Sequence, residues 1–470
     1  MKSRILSPFA MNNLPESQPN AFASDMTRRG FVKTSSFAAA MSMLGGIPLV
    51  AQQEKNETPA ASGSTVKCAV IGCNIWGREI LNMLARLPKA EVIAVCDRYE
   101  ASLRRAKEAA PKAEGYADYT KVLENKDVQA VLIATPSHQH KEIVLAALKA
   151  GKHVYCEAPL ANTIEDARAI ARAARDSAKS YFQAGLLLRS DPQRKFLLPF
   201  VRSGATGHNV KTRGQWHRKM SWRRSSPLPE REKELNWRLR KEDSTGLIGE
   251  IGIQQIDAMH WFLNKRPVSV TGFGGILSWQ DGRNVEDTAQ VVFQYEDGTS
   301  FNYEASLATS FDSEYEILYG TDAAIMLRGN KAWLFKEADS PLLGWEVYAR
   351  KDQFFKETGI ALVADASKAD AAKSAKDGKD DDGGDPPLRH ALDSFLANTE
   401  LISNAIEDFV STFNATDMKA LTEYLAGIQK SKLPAATYMD GFESTVTCIK
   451  ANEAVAKKQT IKFEKEWFEI

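Results

Sequence analysis

Val66-Lys67-Cys68-Ala69-Val70-Ile71-Gly72-Cys73-Asn74-Ile75-Trp76-Gly77-Arg78-Glu79-Ile80-Leu81 is the stretch on which the fold turns. Six residues rich in Val and Ile read as a strand, a glycine turn follows, and Ile80, Leu81, Leu84 and Leu87 then recur at helical spacing over residues 76–87. A second apolar run, Glu91–Cys96, ends at Asp97, twenty residues beyond Gly77. Strand, glycine turn, helix and acid in that order form a dinucleotide-binding unit. Gly72 permits the tight turn, Gly77 lets the helix pack closely on the sheet, and the helix N-terminus offers unpaired N–H groups to a pyrophosphate. Asn74 stands where a second glycine is usual. The turn residues Gly72, Asn74, Ile75, Trp76 and Gly77 are candidate cofactor contacts. Asn tolerates left-handed backbone angles better than most residues, which keeps the turn feasible. Asp97 can accept hydrogen bonds from a ribose diol and would repel a 2′-phosphate, so the pattern favours NAD over NADP. Arg98 keeps NADP open.

Outward from this unit, strand and helix patterns alternate. Val128–Ala134 is a continuous apolar run, as expected of a strand covered on both faces. His140–Ala150 reads as a helix closed by Gly151, His153–Cys156 as a strand, Ile164–Ala178 as a helix and Tyr181–Leu188 as a further strand. The expected class is α/β: an N-terminal doubly wound parallel Rossmann sheet over residues 65–189. From 190 to 470 the pattern changes to β-like runs separated by Asp-Gly and Gly-Asn turns. It predicts a second α/β domain with an open, mostly antiparallel sheet. Within it, Gly246–Phe262 reads as one helix, and 394–413 and 440–456 as helices packing back on that sheet. Residues 364–387 (ADASKADAAKSAKDGKDDDGGDPP) are too poor in apolar side chains to fold and read as a disordered insertion.

Composition narrows the classes. With 43% hydrophobic and 26% charged residues the chain is that of an ordinary globular protein. A formal net charge of +1 points away from nucleic acid. The five cysteines show no CxxC or Cys/His spacing, so no structural metal is expected, and those in or beside strands read as buried thiols. At the N-terminus, Arg28-Arg29-Gly30-Phe31-Val32-Lys33 precedes an apolar stretch over 37–50 that is too short for a stable membrane span. Residues 1–51 match a twin-arginine export signal, and 52–64 read as a polar linker. That route carries folded proteins, which implies a periplasmic or otherwise exported protein with its cofactor already bound.

Residues 134–161, ATPSHQHKEIVLAALKAGKHVYCEAPLA, resemble the signature of Gfo/Idh/MocA oxidoreductases. The resemblance extends from about Val66 through Arg189, and more weakly through 214–224 (GQWHRKMSWRR) and 246–263. It implies an NAD-dependent oxidoreductase acting on a hydroxyl of a sugar or sugar derivative, with the site between the two domains and the chain in a homo-oligomer. By the same resemblance, Thr135, Pro136 and His138 would line the nicotinamide side with Glu157 and Pro159, while His140 would serve the start of its helix.

Two departures bear on chemistry. The family's Glu-Lys-Pro lysine is Ala158, and its Asp-x-x-x-His pair falls on Glu250 and Gln254. Oxidising a hydroxyl releases a proton, so another acceptor is needed. His217 is the first candidate and Asp257 the second. Asp257 shares a helical face with Glu250 and Gln254, and His260 could extend it. Trp216, Trp222 and Arg223 suit a carbohydrate face and its hydroxyls, and Arg223 and Arg224 read otherwise as a solvated basic turn. Two alternatives stay open. One is an NAD-dependent glycosidase or lyase working by oxidation, elimination, addition and reduction, whose branch also carries an apolar residue at the lysine position. The other is a nucleotide- or sugar-binding relative without turnover.

Overall fold

A computed structural model describes residues 65–177, 179–342, 346, 349, 351–354, 357–362, 385–413 and 417–470. The export signal and linker expected over 1–64 and most of the insertion expected over 364–387 lie outside them. The last residues of that segment do not belong to an insertion: Pro387 is already the first turn of a helix, Pro387–Thr412, where its missing N–H costs nothing.

The first sheet contains β1 (Val66–Ile71), β2 (Ala90–Cys96), β3 (Glu114–Tyr116), β4 (Ala130–Ile133), β5 (His153–Glu157) and β6 (Phe182–Gly185). The order is β3-β2-β1-β4-β5-β6, and every pairing is parallel. The order reverses between β1 and β4, and ligands of such sheets bind outside the strand ends at that point. The three residues of β3 carry too little apolar pattern to be found in the sequence. All four residues of β4 are buried, which explains its unbroken apolar run. Gly151, at φ +71°, ends the helix His140–Lys149.

The second sheet contains β7 (Asn209–His217), β8 (Ser269–Gly275), β9 (Thr288–Gln294), β10 (Ser300–Ser306), β11 (Glu314–Gly320), β12 (Ala323–Arg328), β13 (Lys331–Lys336), β14 (Lys351–Phe354), β15 (Glu357–Leu362) and β16 (Ile461–Lys462). It is antiparallel throughout except where β7 meets β10. Strands β7, β9, β10 and β11 turn Gly214, Val291, Tyr303 and Leu318 to the inner, helix-covered face.

Two sequence readings are corrected here. The helix expected over 246–262 is two, Gly246–Glu250 and Ile253–Leu263. The break lies where the chain crosses the Tyr303 ring, and a Cβ on Gly252 would fall 2.6 Å from it. The helix Pro387–Thr412 packs on the first sheet, not the second. Leu388, Leu392 and Phe395 join Val66, Val70 and Tyr155 in one core, with Tyr155 and Phe395 edge to face at 5.7 Å. The Rossmann unit is therefore completed by a segment some two hundred residues downstream of β6. The helix Tyr438–Lys457 lies between the layers, touching β8 on one side and the helix Ile164–Asp176 on the other. All five cysteines are buried and unpaired, and burial pushes the Cys68, Cys73 and Cys96 thiols up to about 12, leaving them unreactive.

Candidate active site

The chain leaves β1 through Gly72, whose φ of +92° is open to glycine alone at no cost. A Cβ there would meet the Ala134 carbonyl carbon at 2.7 Å, so the turn lies tight against the end of β4. Gly77 is required from the other side, since its Cβ would fall 1.8 Å from the Gly72 carbonyl oxygen. Asn74 precedes the helix Ile75–Leu84 in extended conformation (φ −75°), so its tolerance of left-handed angles is not used. Ile75 and Trp76, on the first helical turn, stay 48% and 37% exposed although both are apolar. Asp97 binds the turn to the end of β2, its two oxygens accepting from Cys73 N–H at 3.0 Å and Tyr99 N–H at 2.9 Å. Each oxygen keeps lone-pair capacity for a further donor.

These residues open a cleft of about 1030 Å³ between the two sheets. Thr135, Pro136, Glu157 and Pro159 line it, and so do Trp216, Trp222 and Arg238 from the second domain. The Thr135 hydroxyl is buried without a hydrogen-bond partner. A glycine turn that admits no side chain, uncovered apolar residues at a helix N-terminus and an orphaned hydroxyl fit a bound dinucleotide. Gly72–Gly77, Asp97 and Thr135 would hold it.

Glu157, the last residue of β5, is buried, and its Oε1 has no hydrogen bond. Burial pushes its carboxyl up to about 7, although Trp76, Tyr155 and Arg238 nearby favour the charged form. Ala158 adds no polar atom beside it. Glu250 is fully engaged at Oε1, which accepts from the Ser137 hydroxyl and from the Thr245 N–H and hydroxyl, all at 3.0 Å. Gln254 is occupied as well, accepting from Leu187 N–H at 2.9 Å and donating to the Gly185 carbonyl at 2.8 Å. It braces the segment after β6 and has no titratable proton to offer.

The structure places the two proton acceptors expected from sequence away from this cleft. Alternation along β7 turns Trp216 inward and His217 outward, where Nδ1 lies 3.3 Å from the Phe311 carbonyl oxygen. Asp257 is buried in an ion pair with Arg189. His260 is enclosed by Phe293, Tyr295 and Phe301, and burial holds it near 3, neutral at working pH. Two motif histidines also take other positions. His138 turns Nδ1 to the Asp243 carbonyl oxygen at 3.1 Å, and its neighbour Ser137 takes the cleft side. His140 is buried against the carbonyl oxygens of Thr135, Pro159 and Leu160, joining two loops instead of capping its own helix.

Residues 236–239 supply groups that no motif announced. Trp237 and Arg238 line the cleft, the guanidinium lying over the indole at 4.4 Å. Trp222 has a left-handed backbone, φ +63°, a strained state that persists where the surroundings impose it. Here they do: Ser221 before it accepts from the buried Arg283, and Ser221 Oγ accepts from Arg223 N–H at 3.2 Å. Among the described residues, no group of three or more His, Cys, Asp or Glu could hold a metal ion. No helix among them is long and apolar enough to cross a membrane.

Comparison with known proteins agrees with this geometry. Residues 66–184 match the model of the oxidoreductase family with an NAD-binding Rossmann fold, and 200–326 match the Gfo/Idh/MocA C-terminal domain, together more than half of the chain. Inositol 2-dehydrogenase of Salmonella typhimurium is 31% identical over 206 residues, 43% of this chain and 55% of that protein. The chain thus spans about half the length of that relative. Levoglucosan dehydrogenase of Pseudarthrobacter phenanthrenivorans is 27% identical over 51% of this chain and 65% of its own length. A 2,7-anhydro-N-acetylneuraminate hydratase of Escherichia coli is 25% identical over 56% of this chain and 67% of its own length. Among solved structures, an oxidoreductase domain protein from Kribbella flavida superposes with TM-score 0.63 at 19% identity, covering 86% of this chain and all of its own. Levoglucosan dehydrogenase with NADH and L-sorbose gives 0.61 at 18%, covering 85% of this chain and 99% of its own. At such identities these superpositions speak for the fold alone.

Proposed function

Because the chain belongs to the Gfo/Idh/MocA family of oxidoreductases, we propose that it is an NAD-dependent enzyme acting on a hydroxyl of a sugar or sugar derivative. The supporting observation is the single cleft that joins the Gly72–Asp97 turn to Glu157 and the tryptophans of the second domain. Bound NAD would supply the hydride acceptor. The chain's own task is then to orient the sugar, exclude water and take the hydroxyl proton. Trp216 and Trp222 offer aromatic surface for the ring. Ala158 cannot accept a proton, His217 and Asp257 point elsewhere, and the Glu250 side chain is buried, with three hydrogen bonds at Oε1 and the Arg238 guanidinium 3.7 Å from Oε2. Glu157 has a free oxygen and a proton affinity matched to neutral pH, so it is the acceptor in this proposal.

Export through the twin-arginine pathway to the periplasm, with NAD already bound, and self-association complete the proposal. Arg28-Arg29 supports the first. Exposed Phe273 and Val292, on one outer face of β8 and β9, support the second. The test is nucleotide extraction from heat-denatured protein, followed by reduced-nicotinamide absorbance with a panel of sugars and cyclitols. Release of NAD and a sugar-dependent rise are expected. Protein that neither retains nor binds NAD would overturn the reading. Oxidation, elimination, addition and reduction on the same cleft is favoured by one observation, the apolar Ala158, and by the hydratase among the relatives. Product analysis with aryl glycosides separates it from net oxidation.

A further inference from the structure

Arg224 and Arg238 both line the cleft, Arg238 beside the carboxylates of Glu250 and Glu157, Arg224 with no carboxylate paired to it among the described residues. Arg238 lies between Glu157 and Glu250, yet its Nε is 3.7 Å from Glu250 Oε2, beyond hydrogen-bond length. Glu157 is half protonated near pH 7 and neutralises it only in part. The Arg238 side chain is 44% exposed, and the exposure is to the cleft. Desolvation there lowers its proton affinity, Glu250 and Glu157 raise it in part, and the like charge of Arg224 lowers it again. Among the described residues the Arg224 guanidinium makes no hydrogen bond and no ion pair. Arg224 thus brings a positive charge to the cleft that no carboxylate there pairs with, and Arg238 keeps donors that Glu250, at 3.7 Å, does not fill, so a bound anion would find both.

The pair is also built to stay together. Asn236, 6% exposed, clamps Arg224 from both sides: its Oδ1 accepts from Arg224 N–H and its Nδ2 donates to the Arg224 carbonyl, each at 2.8 Å. Two residues on, the chain carries Arg238 over the Trp237 indole. One buried amide thus fixes both cationic segments beside an aromatic face. A third cation, Arg218, lies over Trp216 at 5.8 Å on the same cleft.

We propose that the substrate is an anionic carbohydrate, a sugar carrying a carboxylate or phosphate, and that Arg224 and Arg238 receive its charged group while the tryptophans hold its ring. Planar guanidinium forks match both oxyanions through paired hydrogen bonds. The inference rests on the reading of this cleft as a nicotinamide and sugar site, and it narrows that site to charged sugars.

The test is calorimetric titration of NAD-loaded protein with hexuronates, hexose 6-phosphates and neutral hexoses of the gluco, galacto and manno series. An anionic sugar should bind about ten- to hundredfold tighter than its neutral counterpart, the span of one charge-assisted hydrogen bond. The stronger arm tells carboxylate from phosphate. Arg224→Gln and Arg238→Gln should erase the difference, and Arg238→Lys should keep part of it, with thermal melts showing that each variant is folded. Equal binding of neutral and anionic sugars overturns the proposal, as does no anionic binding or an advantage that survives both substitutions. If the variants lose NAD instead of sugar, the arginines serve the cofactor and the proposal is wrong. Protein that binds no NAD at all fails the functional reading separately. The same titration on the apo protein then still decides the anion preference.

Discussion

Arg189 grips Asp257 through both carboxylate oxygens, at 2.8 and 2.9 Å, and Ser444 donates to the same carboxylate at 2.6 Å. This joins the segment after β6 to the helices Ile253–Leu263 and Tyr438–Lys457. Asp257 is therefore expected to act on stability. Asp257→Ala leaves a mostly buried guanidinium short of a partner and should cost about 3–5 kcal/mol. Asp440, 2.8 Å from Arg189, offsets part of that. Denaturant unfolding of the apo protein measures the loss. A variant with unchanged stability and a collapsed rate would return Asp257 to the chemistry.

His217→Ala is expected to change turnover by less than about tenfold, since loss of a general base costs about 10²–10⁴-fold. Its ring is on the face of β7 opposite Trp216, so proton transfer to it would have to cross the sheet. Steady-state rates on any confirmed substrate decide the point.

These two residues show where sequence reading stops. The nucleotide turn was legible because its physics is local: strand, positive-φ glycine, helix and acid fall within thirty-two residues, from Val66 to Asp97. His217 and Asp257 are candidates by elimination alone, and their role depends on which way each side chain points. Strand register decides that for His217, and a distant arginine decides it for Asp257. The break at Ile251–Gly252, imposed by Tyr303, was hidden because it depends on packing against another sheet. Arg224 ends the stretch 214–224, but Trp237 and Arg238 form no motif with it. They meet through Asn236, a polar residue whose burial no local pattern marks. The helix Pro387–Thr412 was legible as a helix, but its destination on the first sheet was not.

Asp97 should set cofactor choice and also support the turn. Asp97→Ala removes a ribose acceptor and two backbone contacts, and should weaken NADH binding by about 1–3 kcal/mol. The gap to NADPH should narrow, because the charge that repels a 2′-phosphate is gone and Arg98 is held only by an exposed pair with Glu234 at 3.4 Å. Fluorescence titration with both nucleotides reads this. Unchanged affinities for both would remove Asp97 from the ribose.

Glu157 makes the most discriminating prediction, because one substitution has two pH signatures. Its carboxyl rises from the ordinary 4.5 to about 7, first through burial. A carboxyl held protonated by the fold stabilises it fully below pH 4.5. That contribution is lost as pH rises to about 7, above which the folded chain carries a buried charge. The difference is of the order of 3 kcal/mol. Gln carries no charge at any pH, so Glu157→Gln should gain stability relative to the parent between pH 4.5 and 7, with a constant gap above. Gly185 opposite leaves the side chain little room to swing away, since a Cβ there would be 3.0 Å from Glu157 Oε2. As proton acceptor, Glu157 should also give sugar oxidation a rate that climbs through pH 7. Glu157→Gln should lower that rate by about 10²–10⁴-fold and flatten its rise. Unfolding curves and pH–rate profiles on the same preparations test both. A stability gap that ignores pH refutes the buried, protonated carboxyl, while a slowed variant that keeps the parent's pH profile makes Glu157 a positioning residue.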